Sequence, residues 1–273
     1  MVELEKRQAE FAKQGIGVAA ITYDKREALS HFAARKGLTY PLLSDPDFKI
    51  IRAFGILNLT IPKDSPAFGI PHPGTFLVDE RGFVRAKYFE ADYRDRFTAA
   101  NILLREFGAA TTEAAGEGET RHLKLRYWAS DAAVRTGSRL TLTVDVELKP
   151  GMHVYAPGVK GYIPLQWDLA ESPAWRAEEP KYPASRMMNL PVIRETVPVF
   201  EGHFRIVRDL TITEREAAIG PLLDRRREFE VESTFRYQAC DDKVCYPSQT
   251  VPLRWRLRLE VLDRERVPDP LRR

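Results

Sequence analysis

The chain of 273 residues is 44% hydrophobic and 30% charged, with a formal net charge of +3. That is an ordinary composition for a globular protein, and the length is enough for two domains, each with its own core. Acids and bases are interleaved throughout, which argues against a dedicated nucleic-acid face, and no run approaches the ~18 apolar residues of a membrane helix. The opening "MVELEKRQAEFAKQG" is amphipathic with no apolar core region, so it does not read as a secretory signal.

From Val2 to about Phe107 helical and strand patterns alternate. Leu4 and Phe11 mark one face of an opening helix, and "GVAAITY" (Gly17 to Tyr23) reads as a buried strand. Asp24 is placed to cap a second helix carrying Ala28, Leu29, Phe32 and Ala33. "TFLVDERGFVRAKYF" predicts strands over Thr75 to Val78 and Phe83 to Tyr88, joined by a turn at Glu80-Arg81-Gly82. A last helix aligns Phe97, Ala100, Leu104 and Phe107. This order predicts a small mixed sheet covered by helices. "GAATTEAAGEG" (Gly108 to Gly118) is small and polar without apolar periodicity, the composition of a linker.

Beyond the linker the period changes to two. "RLTLTVDVEL" puts Leu140, Leu142, Val144, Val146 and Leu148 on one face, "EFEVESTFRY" does the same with Phe229, Val231, Phe235 and Tyr237, and "VPLRWRLRLEV" with Leu253, Trp255, Leu257 and Leu259. Arg254, Arg256 and Arg258 then fall on the solvent face of a strand. Several such strands between Pro- and Gly-rich turns predict an all-β antiparallel sandwich. The expected boundaries are 1–107 for the first domain, 108–120 for the linker, 121–263 for the sandwich and 264–273 for a tail.

Both cysteines of the chain, Cys240 and Cys245, lie in "YQACDDKVCYPS" (Tyr237 to Ser248), between two predicted strands. Opposed hairpin residues have Cα atoms ~4.5 to 5.5 Å apart, a span that accepts a disulfide. A metal would need further ligands, and His31, His72, His122, His153 and His203 show no ligand spacing near the pair, so no metal or organic cofactor is expected. A structural bridge over so short a loop contributes only about 2 kcal/mol. Staple, free thiols and exchangeable disulfide therefore all stay open on these residues alone. Alternation through Tyr237 puts Cys240 on the face opposite the core, where an attacking thiolate can reach its sulfur. Asp241 and Asp242 are expected to raise a neighbouring thiol's pKa, partly offset by Lys243. His153 and Tyr155, two residues apart, share one face of a strand, as a half-buried aromatic pair would.

"YQACDDKVCYPSQTVPL", with "GMHVYAPG" (Gly151 to Gly158) upstream, resembles the amino-terminal periplasmic domain of the thiol:disulfide interchange protein DsbD, over roughly Arg121 to Asp263. The resemblance implies an immunoglobulin-like sandwich, with Cys240 and Cys245 as a redox pair that passes electrons to partner proteins. It places His153 and Tyr155 on a strand beside them. With Asp241, Asp242, Lys243 and Tyr246 around the cysteines, these are the expected supporting residues. It also makes "SRMMNLPVIRE" (Ser185 to Glu195) the place for a cap loop shielding the sulfurs. The spacing between the cysteines is one residue shorter than in that family.

The first half, in "VAAITYD", "YPLLSDPDFKIIRAFGI" and "HPGTFLVDERGFVRAKYF", is similar to the peroxiredoxin (alkyl hydroperoxide reductase and thiol-specific antioxidant) branch of the thioredoxin superfamily. That resemblance implies a thioredoxin-like α/β domain whose catalytic cysteine sits at the start of its first helix, after a first strand. The chain begins inside that helix with no cysteine before it, so the expectation is an N-terminally incomplete domain whose start lies upstream, without peroxidase activity of its own. His72 and Pro73 stand roughly where thioredoxin folds keep a cis-proline. The function expected is a thiol-disulfide oxidoreductase exchanging electrons with a thioredoxin-like or disulfide-carrying partner. The alternative is a non-catalytic interaction module with a structural disulfide and a degenerate redoxin scaffold. A stable hairpin disulfide suits an oxidising compartment such as the periplasm.

Overall fold

A computed structural model describes residues 1–65, 67–89, 94–108, 116–190, 195–261, 263, 265 and 268–271. The chain divides into two compact units, Met1–Ala109 with Leu262–Arg273, and Ala110–Val261. Among the described residues no helix is long and apolar enough to cross a membrane.

The first unit runs α1 (Val2–Lys13), β1 (Ala20–Thr22), α2 (Arg26–Lys36), β2 (Leu42–Ser44), α3 (Lys49–Ala53), β3 (Gly74–Val78), β4 (Val84–Phe89), β5 (Arg96–Phe97) and α4 (Ala99–Phe107). α4 starts where Thr98 accepts the Asn101 N–H at 3.1 Å and stops at Gly108, whose left-handed φ of 63° suits a residue without Cβ. Its apolar side, Ile102 and Leu103, packs with Phe11 and Tyr88. α2 departs from the sequence expectation. Lys25 occupies its N-cap position, and the Asp24 carboxylate instead accepts the Thr22 hydroxyl at 2.8 Å. Asp45 does for α3 what Asp24 was expected to do for α2, accepting the N–H groups of Lys49 and Ile51 at 3.0 and 2.8 Å.

The single mixed sheet expected here takes the form of two separate pairs, β1 parallel to β2 and β3 antiparallel to β4. With one hydrogen-bonded neighbour each among the described residues, these strands leave Ile21, Leu43 and Val78 exposed at 37%, 44% and 42%. The β3–β4 turn forms as read, Asp79 Oδ1 accepting the N–H groups of Arg81 and Phe83, with Gly82 at φ 83°. No described peptide bond is cis, that before Pro73 included. Asp263, expected at the end of the sandwich, groups with this unit together with the described tail residues and pairs with Arg35 and Lys36 at 3.3 and 2.7 Å.

The second unit is a sandwich. Its strands are β6 (Gly116–Glu119), β7 (Leu123–Ala129), β8 (Ala133–Val134), β9 (Ser138–Leu148), β10 (His153–Tyr155), β11 (Gln166–Leu169), β12 (Trp175–Ala177), β13 (Arg186–Leu190), β14 (Glu195–Glu201), β15 (His203–Ile212), β16 (Glu228–Tyr237), β17 (Ala239–Cys240) and β18 (Gln249–Leu259). A short helix, α5 (Glu216–Ile219), precedes β16. One layer runs β12-β15-β9-β7-β6, a second β11-β16-β18-β8, and a small third sheet β13-β14-β10-β17. Gly116–Glu119, placed in the linker by composition, pairs with β7 instead. Its two glycines hid the alternation, and a Cβ at Gly116 would run into the Tyr127 ring.

The period-two faces meet in one core that includes Leu142, Val144, Phe229, Phe235, Leu257 and the ring pair Trp167–Trp255, 5.7 Å apart. Trp167 Nε1 donates to Ser233 Oγ at 3.0 Å, so the indole is buried without an orphaned donor. On the outer face of the β16–β18 pair, Arg254 and Arg256 reach Glu232 and Glu230 at 3.2 and 2.9 Å. Leu142→Ala, at a fully buried position, is expected to cost about 2–5 kcal/mol in denaturant unfolding of this unit. Thr250→Ala, on the exposed face, should change it by less than about 0.5 kcal/mol. Equal effects would contradict the assignment of faces.

Candidate functional site

The cysteine segment begins where β16 ends. Tyr237 closes β16 from inside, its hydroxyl donating to Gln249 Oε1 at 2.5 Å and lying 2.7 Å from Thr120 Oγ1. The chain then changes sheets: β17 pairs with β10, Ala239 opposite Val154 and Cys240 opposite His153. Ala239 still faces the main core, whereas Cys240 joins a second apolar cluster on the other side of the small sheet with Tyr155, Val197 and Val199. Cys240 and Cys245 oppose each other as an antiparallel bridge and are joined by a disulfide, S–S 2.05 Å, with Cα atoms 4.0 Å apart.

Asp241 builds the turn between them. Its N–H donates to the Val244 carbonyl at 3.0 Å. Its Oδ1 accepts the N–H groups of Lys243 and Val244 at 2.8 Å each, and its Oδ2 accepts the Tyr246 hydroxyl at 2.7 Å. A short carboxylate bonding its own backbone two and three residues ahead is the ordinary mechanism of an Asx turn. These bonds, that from Val244 foremost, hold the Asp241 carboxyl down at about 2, and the same contact pushes the Tyr246 hydroxyl up. Asp241, expected to act on a neighbouring thiol, also closes the turn with its carboxylate, and Asp242 and Lys243 are exposed at the tip.

Tyr246 is fixed from several directions. Its N–H donates to the Ala239 carbonyl at 2.9 Å, its carbonyl accepts Gln238 Nε2 at 3.0 Å, and its ring lies 4.6 Å from His122 and 5.6 Å from the Arg121 guanidinium.

The two cysteines differ in exposure. Cys240 is 1% exposed, while Cys245 is open to solvent. Cys240 occupies the expected face, but its sulfur is not the reachable one. The outer side of the small sheet is roofed by Val159, Tyr162 and Met188, residues far away in the chain. Met188 comes from the segment expected to form a cap loop. Arg186–Leu190 of that segment is a strand paired with β14, and residues 191–194 fall outside the described residues. Tyr162 donates to Glu195 Oε2 at 2.5 Å, which pushes its own pKa up to about 12, and its ring lies 4.4 Å from that of Tyr155.

β10 supplies the polar groups beside the bridge. A turn with Pro150 and Gly151 at its centre, closed by the Met152 N–H on the Lys149 carbonyl at 3.0 Å and needing the φ of 79° at Gly151, delivers His153 onto the strand. Tyr155 places its hydroxyl 3.5 Å from Cys245 Sγ, and burial raises its pKa. His153 is 4% exposed, its ring 5.8 Å from and nearly perpendicular to that of Tyr155. Burial lowers the His153 pKa against the opposing pull of Glu201 and Asp241. The structure thus brings Cys240, Cys245, His153, Tyr155, Asp241 and Tyr246 together and leaves Asp242 and Lys243 at the rim. Tyr162, Val159 and His122 had no readable signal, whereas Val197 and Val199 could have been found from the alternation in "ETVPVFE".

The depressed pKa of Asp241 sets an acid limit for the turn. A carboxylate with a folded-state value below its ordinary one contributes stability above the ordinary value, and that contribution disappears as pH falls through the folded value. The amide shifts of Lys243 and Val244 are therefore expected to stay constant from neutrality to pH ~4 and to titrate only near 2. An inflection at the ordinary carboxylate value would contradict the turn.

Residues 1–87 match the AhpC/TSA family, and residues 125–253 match the family described as thiol:disulfide interchange protein DsbD, N-terminal. A Mycobacterium tuberculosis (strain H37Rv) protein named as a peroxiredoxin is 39% identical over 80 residues, covering 29% of this chain and 50% of that protein. Peroxiredoxin Bcp of Escherichia coli K12 is 35% identical over 79 residues, with coverage of 29% and 50%. Alkyl hydroperoxide reductase C of Staphylococcus aureus is 30% identical over 105 residues, with coverage of 36% and 52%. The chain spans about half the length of the curated relatives it matches. Among solved structures, the N-terminal periplasmic domain of ScsB from Proteus mirabilis aligns with a TM-score of 0.36 at 12% identity, covering 53% of this chain and 50% of that one. The reduced DsbD N-terminal domain of Neisseria meningitidis aligns with a TM-score of 0.30 at 9% identity, covering 54% and 89%. The chain carries an AhpC/TSA peroxiredoxin-like region at its amino end and a DsbD N-terminal domain of immunoglobulin-like sandwich fold after it, a pairing that with the Cys240–Cys245 bridge supports a thiol:disulfide redox role.

Proposed function

We propose that the chain exchanges electrons with a thioredoxin-like partner through Cys240 and Cys245, and that Cys245 is the sulfur the partner attacks. The observation that carries this reading is the asymmetry of the bridge, one cysteine exposed and the other buried under the Tyr162–Met188 roof. Attack on a disulfide follows access as well as thiolate character. A partner thiolate that reaches Cys245 Sγ forms a mixed disulfide there, the Cys240–Cys245 bond breaks, and its electron pair leaves on Cys240. The partner's second thiolate then attacks its own bridged sulfur and releases Cys245, so the partner is oxidised and this chain reduced by two electrons. The same steps in reverse pass the electrons on. Both cysteines of the sequence lie in the sandwich, and the exchange proposed here is assigned to that unit.

Cys240→Ser leaves Cys245 without its resolving neighbour. Incubated with an oxidised thioredoxin-like protein, the full chain carrying Cys240→Ser is expected to accumulate a mixed disulfide through Cys245, read on non-reducing gels and by mass spectrometry. Cys245→Ser, which leaves only the buried thiol, should form roughly tenfold less or lower still. Equal trapping by both variants would contradict the assignment of Cys245. No trapping by either would leave the sandwich as a binding module with a structural bridge.

A further inference from the structure

We propose that His153 is the general base for Cys240, taking its thiol proton in the step that re-forms the Cys240–Cys245 bridge. The proposal rests on the exchange reading above. In that step Cys245 is held in a mixed disulfide with the partner. The Cys240 proton passes to the imidazole, Cys240 Sγ bonds to Cys245 Sγ, the bond from Cys245 to the partner breaks, and its electron pair leaves on the partner's sulfur as a thiolate. The chain's dithiol is oxidised by two electrons and the partner's disulfide reduced by two. In the opposite direction the imidazolium returns the proton to the Cys240 thiolate.

The need for such a group follows from where Cys240 sits. A thiol at 1% exposure among Tyr155, Val197, Val199 and Met188 is covered from solvent, and apolar burial disfavours its thiolate. Its proton needs an acceptor inside the protein. His153 is its register partner on β10, and side chains directly opposite each other on one face have Cβ atoms ~4.5 to 5.5 Å apart. The ring is itself more than nine-tenths buried, and its Nε2 has no hydrogen-bond partner among the described residues.

A buried imidazole nitrogen left without a partner is costly unless another state of the protein supplies one. The reduced state supplies the Cys240 thiol. Burial keeps the ring neutral, and so able to accept a proton, near pH 7.

The other groups around the ring are committed elsewhere or complement this role. Asp241, at the end of β17, is tied to Lys243, Val244 and Tyr246. Glu201, opposite His153 on β14, is bonded to Arg186 of β13 at 2.9 Å. Tyr155, on the same strand as His153, has its hydroxyl at Cys245. Glu201 and Asp241 both favour the imidazolium once it forms, so the proton is held without a counter-charge having to be brought in.

The test uses the reduced full chain and one equivalent of 4,4′-dithiodipyridine, whose thiopyridone release is followed by stopped flow. Attack by Cys245 gives the first phase, and attack by Cys240 on the resulting mixed disulfide gives the second. His153→Gln is expected to slow the second phase by on the order of 100-fold at pH 7 and to leave the first within about twofold. In the native chain the second phase should also fall as pH drops through a group titrating at or below ~6.5, an inflection that His153→Gln removes.

Unchanged second-phase rates and pH profile in His153→Gln would overturn the role of His153 while leaving disulfide exchange intact. If that variant does not fold, a native profile with no inflection below pH ~7 overturns it equally. A native chain that releases only the first thiopyridone and never resolves would overturn the exchange reading itself, and this inference with it.

Discussion

The pairing of β17 with β10 is the constraint on which the site depends. Two residues, Ala239 and Cys240, leave the hairpin direction of β16 and β18 and complete a different sheet. Because side chains alternate across a strand, this short change of partner puts Ala239 in the main core and Cys240 in the small cluster on the other side. It also sets Cys240 in register with His153. Had the segment remained an ordinary hairpin end, both sulfurs would lie at a solvent-exposed tip with no strand beside them.

From that one pairing the bridge becomes unequal. Cys240 is fixed by sheet hydrogen bonds and an apolar roof, whereas Cys245 returns to it across a four-residue turn whose closure rests on Asp241. Tyr246 anchors the far side of the turn through the Ala239 carbonyl and Gln238. The covalent bond thus joins a rigid, buried sulfur to one on a surface turn. Each sulfur has its own polar neighbour on β10: His153 across from Cys240, and Tyr155 at Cys245. Exchange depends on which sulfur an attacking thiolate can reach, and the inequality of the two cysteines here follows from strand register and turn bonding.

Much of the sandwich was legible because its signal is local. The alternation in β9, β16 and β18 needs only a pleated strand with one face buried, and Trp255, Leu257 and Phe235 sit in the core as the period requires. The cysteine segment was legible through its motif and through the parity that sends Cys240 away from the core. The burial of Cys240 was not, because Val159, Tyr162 and Met188 come from segments that no short-range pattern links to it. The turn that Asp241 closes was not legible for a related reason: its charge is visible in the sequence, but the backbone N–H groups that hold it come together only once the turn is formed. Gly116–Glu119 looked like linker because a strand of alternating glycine and glutamate carries no hydrophobic period. In the first unit the helices follow their apolar spacing, whereas pairing between strands distant in sequence is a non-local property, and there the expected single sheet appears as two pairs.

The claim that the Cys240–Cys245 bridge is made to open and close is tested most directly by its reduction potential. Equilibrating the full chain in glutathione buffers and trapping free thiols for mass spectrometry gives that value. A potential of roughly −120 to −270 mV, the range of exchange catalysts, is the predicted result. A potential below about −300 mV, where structural disulfides lie, would contradict it.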